Sequence, residues 1–151
     1  MLGFIEKGIK KNREEDATWY VTQLASIPVP EEICVVPDIP YLDDGSEHHK
    51  MDIYYPQCHE GKLPVVFDFH GGGLISCDRK FNRAFCSEIA KRGFLVFCID
   101  YPHVPENDVY TILQDAYEGV RAGYRLLEEY DGDRNRLFLC GDSSAALSTH
   151  I

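Results

Sequence analysis

Val65-Val66-Phe67-Asp68-Phe69-His70-Gly71-Gly72-Gly73 is an apolar run ending in a histidine and three glycines. Leu137-Phe138-Leu139-Cys140-Gly141-Asp142-Ser143-Ser144-Ala145 repeats the plan with a serine at its end. Short apolar runs bounded by turn residues read as buried strands, here Pro64 to His70 and Leu137 to Cys140. Between them lie a helical pattern over about Arg79 to Lys91, a third strand over Phe94 to Asp100, and a second helix. That second helix carries one apolar stripe, Val109, Ile112, Leu113, Ala116, Tyr117, Val120, Tyr124 and Leu127. Asn107 and Asp108 supply its start signals and Gly132 lies past its end. Gly119 and Gly123 each weaken it by about 1 kcal/mol against alanine. Strands alternating with helices pair in parallel through crossover helices, which makes the chain α/β.

Upstream, Asn12 and Glu15 have the spacing of an N-cap and its capping partner, with Ala17, Tyr20, Val21 and Leu24 following at helical intervals. Pro28 and Pro30 end that helix. Ile33 to Val36 and Lys50 to Tyr55 predict an antiparallel hairpin, joined through the turn residues Asp43-Asp44-Gly45-Ser46.

A chain of 151 residues is one domain or part of one. Its 25 acidic and 15 basic residues give a formal net charge of −10, which excludes nucleic acid and anionic membrane surfaces as expected partners. Cys34, Cys58, Cys77, Cys86, Cys98 and Cys140 show no C-x-x-C and no secreted-module spacing, so all six are expected reduced. Glu6 and Lys7 interrupt the only apolar patch near the N-terminus, and no run reaches transmembrane length. These features predict a cytoplasmic protein.

Acyl transfer requires a nucleophile within reach of a carbonyl, and donors aimed at the oxygen that becomes negative. A strand–turn–helix over Gly141, Asp142, Ser143, Ser144 and Ala145 provides the first, with Ser143 at the strained apex and the Ser144 N–H at the positive end of the new helix. The glycine run provides the second, with Gly72 and Gly73 N–H groups as the natural donors. His70 and Gly71 support that loop. Both motifs follow strands at their carboxyl ends, where open α/β sheets bind ligands.

With these residues in place, the chain resembles the hormone-sensitive-lipase-like (bacterial family IV) carboxylesterases of the α/β-hydrolase fold. His70 to Gly73 match that family's H-G-G-G loop and Gly141 to Ala145 its G-D-S-A-G elbow. Met51 to Pro56 is similar to L-D-V-Y-x-P, Asp100 to Glu106 to D-Y-R-L-A-P-E, and Gln114 to Tyr117 to E-D-A-Y. The resemblance implies the N-terminal half of an α/β-hydrolase: residues 1–40 as helix, lead-in and cap segment, and 41–151 as half of a mostly parallel core with flanking helices. It implies a serine hydrolase of small carboxylic esters, with the triad's acid and histidine beyond Ile151 and no metal or organic cofactor. The fragment alone is expected to be inactive. Ala145 replaces the elbow's last glycine, Leu74 stands where tryptophan is common, and Pro102-His103 replaces Arg-Leu and forfeits that arginine's contact.

His48 and His49 beside Asp43, Asp44 and Glu47 read as a solvated hairpin rather than a metal site, because adjacent residues on a strand face opposite ways. Asp38, Asp131 and Asp133 read as turn and surface charges. Trp19, Tyr20, Phe81 and Phe85 read as core or cap packing. His103 lies near the site without an orienting acid, and His150 is too far along its helix to serve as base. A non-catalytic binding protein on the same fold, or a hydrolase of acetylated sugars, formamides or peptides, are the alternatives. Leu137 to Cys140 would form an unpaired apolar edge, to be covered by the missing half, another chain or a homo-oligomer.

Overall fold

The computed structural model describes residues 2–24 and 26–150. Helix α1 (Leu2–Trp19) runs into one wider helical turn (Tyr20–Leu24). The sheet strands are β1 (Ile33–Pro40), β2 (Lys50–Pro56), β3 (Leu63–Phe69), β4 (Leu95–Ile99) and β5 (Gly132–Gly141). Helix α2 (Arg83–Lys91), entered through a 3₁₀ turn (Arg79–Asn82), joins β3 to β4, and α3 (Val109–Leu126) joins β4 to β5. A 3₁₀ helix (Ser143–His150) follows β5.

The sheet order is β1-β2-β4-β3-β5. β1–β2 and β2–β4 are antiparallel, while β3 pairs in parallel with both β4 and β5. The sheet is mixed rather than uniformly parallel because the hairpin leads into it. The hairpin crosses residue 40, so β1 belongs to the same sheet as the rest.

Alternation along the strands sends Val65, Phe67, Leu95, Phe97 and Ile99 to one face, where Ile112 and Ala116 of α3 cover them. Val66, Val96 and Cys98 face the other way, under Cys86 and Ala90 of α2. α3 departs from its expected stripe: Val109, Tyr117 and Tyr124 are exposed, and Ala116, Gly119, Ala122 and Gly123 are buried. A Cβ at Gly119 would stand 2.6 Å from Ile99 Cγ2, and one at Gly123 2.7 Å from Phe67 Cε1. The glycines read as weak points are therefore where the helix presses onto the sheet.

Three further expectations are corrected. Helix α1 begins at Leu2, so Asn12 is interior to it and its amide donates to Asp16 at 3.3 Å instead of capping an end. Val21's side chain lies outside the described residues. Asp38 is no free turn charge: at φ +60° in a β-bulge, its carboxylate accepts from Arg79. His48 and His49 precede β2 in a loop. His49 is mostly buried between Asp44 (2.6 Å) and Asp115 (3.2 Å), while His48 packs edge-on against His103.

β5 hydrogen-bonds to β3 alone among the described residues. Leu137, Phe138 and Leu139 are 39%, 52% and 36% exposed, so the strand carrying the elbow is an apolar edge.

Candidate active site

Parallel pairing of β3 with β5 sets Phe69 opposite Gly141, so the residues leaving the two strands become neighbours. The Gly71 N–H donates to Asp142 Oδ1 at 2.9 Å, and Asn82 Nδ2 donates to the same oxygen at 3.1 Å. A Cβ at Gly71 would collide with the Asp142 carboxylate, which explains why no side chain fits there. Gly72, at φ +114°, accepts Ile75 and Ser76 N–H groups at 3.1 Å each, folding the loop into a tight turn. Among the described residues no acceptor engages the N–H of Gly72, Gly73 or Ser144.

Ser143 is exposed at φ +53°, a left-handed conformation that costs a non-glycine residue about 1–3 kcal/mol. Asp142 O accepts the Ala145 N–H at 3.0 Å and closes the turn. A Cβ at Gly141 would lie 2.6 Å from Ala145 O, so the close approach falls at residue 141, and the buried Ala145 methyl is accommodated.

Beneath the glycine turn lies an ionic network that sequence reasoning missed. Arg79, buried, donates from Nε to Asp52 Oδ1 at 2.8 Å and from Nη1 to Asp100 Oδ2 at 2.9 Å, with Asp38 on Nη2. Asp100 Oδ1 accepts from His70 Nε2 at 3.1 Å and from the Tyr101 N–H at 3.0 Å. His48 Nδ1 stands 3.6 Å from Asp100, an ion-pair separation that holds its pKa above the usual histidine value. Burial alone would raise the Asp100 carboxyl, but His48 and His70 outweigh it and hold the group well below the carboxylate range. The only local signal for Arg79 was Asp78 before it, which caps the 3₁₀ turn by accepting the Lys80 N–H at 2.8 Å.

His70 is fully engaged. Nδ1 lies 2.8 Å from Gly71 O, the carbonyl accepts from Tyr101 Oη, and the ring stacks on Tyr101 at 4.3 Å and 3°. His103 is buried with Nε2 unpartnered, and desolvation together with the neighbouring His48 and His70 pulls its pKa down to about 4. No hydrogen bond joins Ser143 to a histidine among the described residues. His150 is seven positions on in a 3₁₀ helix, whose rise of about 2 Å per residue puts it about 14 Å away.

A cavity of about 350 Å³ lies behind the glycine turn, between Ala17 and Tyr20 on one side and Ser76, Cys77 and His103 on the other. Arg13 of α1 fastens this wall. It donates to Ile75 O (2.6 Å) and Val104 O (3.0 Å), and forks onto the Glu106 carboxylate (2.9 and 2.8 Å). That hydrogen-bonded fork lowers Glu106 to about 2. Arg13 thus anchors the segment in which Pro102-His103 had removed an arginine. Trp19 stacks on Phe81 at 6.2 Å and Tyr20 lies tilted against the same ring at 5.1 Å, as packing, whereas Phe85 is exposed. All six cysteines are free thiols. No helix of the described residues is long and apolar enough to cross a membrane.

A family model described as alpha/beta hydrolase fold matches residues 66–150. Isoprenylcysteine alpha-carbonyl methylesterase of Arabidopsis thaliana is 29% identical over 98 residues, covering 65% of this chain and 23% of that protein. 3-O-acetylpapaveroxine carboxylesterase of Papaver somniferum is 34% identical over 98 residues, covering 56% and 30%. Among solved structures, esterase B from Lactobacillus rhamnosis, inhibited by a tributyrin phosphonate, superposes with a TM-score of 0.91 at 24% identity, covering 97% of this chain and 48% of that one. The chain therefore spans about a quarter of the methylesterase and just under half of the solved esterase.

Proposed function

This chain belongs to the alpha/beta hydrolase fold family, and from that premise we propose that it carries the nucleophile and oxyanion-binding half of a serine hydrolase of small carboxylic esters. The observation that carries the reading is the apposition of two strained turns. Ser143 at φ +53° and the Gly71–Gly73 loop are tied together by the Gly71 N–H on Asp142. Ser143 Oγ attacks the ester carbonyl, and the free N–H groups of Gly72, Gly73 and Ser144 receive the developing oxyanion. Collapse of the tetrahedral intermediate expels the alcohol and leaves an acyl-Ser143, which water hydrolyses.

The proton of Ser143 needs a base, and His70 has both ring nitrogens occupied. We assign the base and its orienting acid to sequence of the complete protein outside these residues. The free thiols fit a reducing, cytoplasmic setting. The test is fluorophosphonate labelling of the full-length protein, with mapping of the modified residue. Labelling at Ser143 that disappears in Ser143→Ala is expected. Absence of labelling in the folded full-length protein, or labelling that survives the substitution, overturns the assignment and favours a non-catalytic binding protein.

A further inference from the structure

The sheet face under α2 holds a group of side chains that ester hydrolysis does not use. In register, Asp68 of β3 lies between Cys98 of β4 and Cys140 of β5, and Cys86 reaches the same place from α2. Asp68, Cys86 and Cys98 are all buried. Cys86 Sγ is 3.4 Å and Cys98 Sγ 3.6 Å from Asp68 Oδ2, and ligand atoms of the three residues lie within 4.8 Å of one another. In a tetrahedral zinc site, bonds of about 2.3 Å to sulfur and about 2.1 Å to oxygen place S and O about 3.6 Å apart. Those edges are already present.

Two observations favour an ion over thiols resting on a carboxylate. Asp68 Oδ1 is buried with no hydrogen-bond partner, although Asn82 Nδ2 donates to Oδ2 at 2.8 Å. No lysine or arginine pairs with Asp68 among the described residues, and buried anions are ordinarily paired or metal-bound. An opening exists as well: a cavity of about 250 Å³ reaches Asp68 past Asn82, Phe85 and Cys140.

We propose that Asp68, Cys86 and Cys98 bind one thiophilic divalent cation of the zinc class, with the fourth position facing the cavity, beneath the turn that carries Ser143. Binding forms two metal–thiolate bonds and releases two thiol protons to solvent, with no electron transferred. The ion would cross-link β3, β4 and α2, and so brace β3, the one strand that holds β5 among the described residues. The site does not depend on the esterase reading.

The test is titration of the reduced full-length protein with Co²⁺. One equivalent should produce a thiolate-to-cobalt charge-transfer band and the visible bands of tetrahedral coordination, displaced by Zn²⁺. Cys98→Ser and Cys86→Ser should each lose the charge-transfer band, while Cys34→Ser retains it. Since a buried Cys→Ser change can unfold the chain, zinc-edge X-ray absorption on the unaltered protein decides independently: at least two sulfur neighbours at about 2.3 Å are expected. A shell of nitrogen and oxygen only, as the hairpin histidines would give, overturns the proposal, as does failure to bind one equivalent.

Discussion

Replacing Arg79 with methionine keeps most of the side-chain volume and removes the charge on which three carboxylates converge. Asp100 is 1% exposed, and the guanidinium is the one partner of its Oδ2 among the described residues. Asp52 keeps the Asp38 N–H on Oδ1 at 2.9 Å, and Asp38 is exposed, so the burden falls on Asp100. Stranding one member of a buried ion pair costs about 3–5 kcal/mol, against a total of about 5–15 kcal/mol for a folded domain. We expect Arg79→Met to lose about 3–5 kcal/mol in urea unfolding near neutral pH, with the denaturant slope unchanged.

The pH dependence separates this cause from simple loss of packing. In the unaltered chain the Asp100 carboxyl is depressed, so its contribution is present above the unfolded value of about 3.9 and is lost as pH falls through the folded value. Without Arg79, burial is less opposed and the Asp100 carboxyl rises. The stability gap between the two proteins should then be widest near neutral pH and narrow in acid, as protonation relieves the stranded charge. A gap below about 1 kcal/mol, the range of an exposed ion pair, or one that does not change with pH, would refute the reasoning.

Gly141→Ala places a methyl 2.6 Å from Ala145 O and 2.9 Å from its carbonyl carbon, and backbone cannot step aside as a side chain can. Overpacking of this kind costs about 1–3 kcal/mol, at about 2–4 °C of melting temperature per kcal/mol for a chain of this size, and an unchanged melting temperature would contradict it. The exposed β5 edge predicts self-association of the described chain that Phe138→Lys weakens. Light scattering over a concentration series checks this, and identical association by both proteins would show that the edge is not responsible.

The strands and α2 were legible because burial imposes a short period on the local sequence: Val65, Phe67 and Phe69 alternate with Val66 and Asp68 whatever lies elsewhere. The two turns were legible because glycines mark tight backbone and a serine among small residues after a strand marks an elbow, and the structure brings both motifs to one end of the sheet. What stayed hidden depends on partners distant in sequence. Arg79 meets Asp38, Asp52 and Asp100 at separations of 41, 27 and 21 residues, and Arg13 meets Glu106 at 93. Nothing near any of these residues marks the pairing. Gly119 and Gly123 misled for a related reason: propensity counts what glycine costs a helix, whereas Ile99 and Phe67 determine what the helix gains by lacking a side chain there.

The same distinction recasts His70. At the head of the glycine run it was expected to support the loop, and every polar atom of its side chain is committed to structure, with its carbonyl held by Tyr101 as well. Through Asp100 the ring is fixed to Arg79, and through Arg79 to β2. An oxyanion site is effective to the extent that its donors are placed before charge develops, since reorganising them during the reaction would consume the stabilisation they offer. The Gly72 and Gly73 amides have no side chains to hold them in place. Their orientation is imposed from below by His70 and its buried partners, and from the side by Asp142. On this reading the histidine positions the glycine turn and leaves proton transfer to another residue, and Arg79→Met should quicken amide exchange in residues 71–76 along with lowering stability.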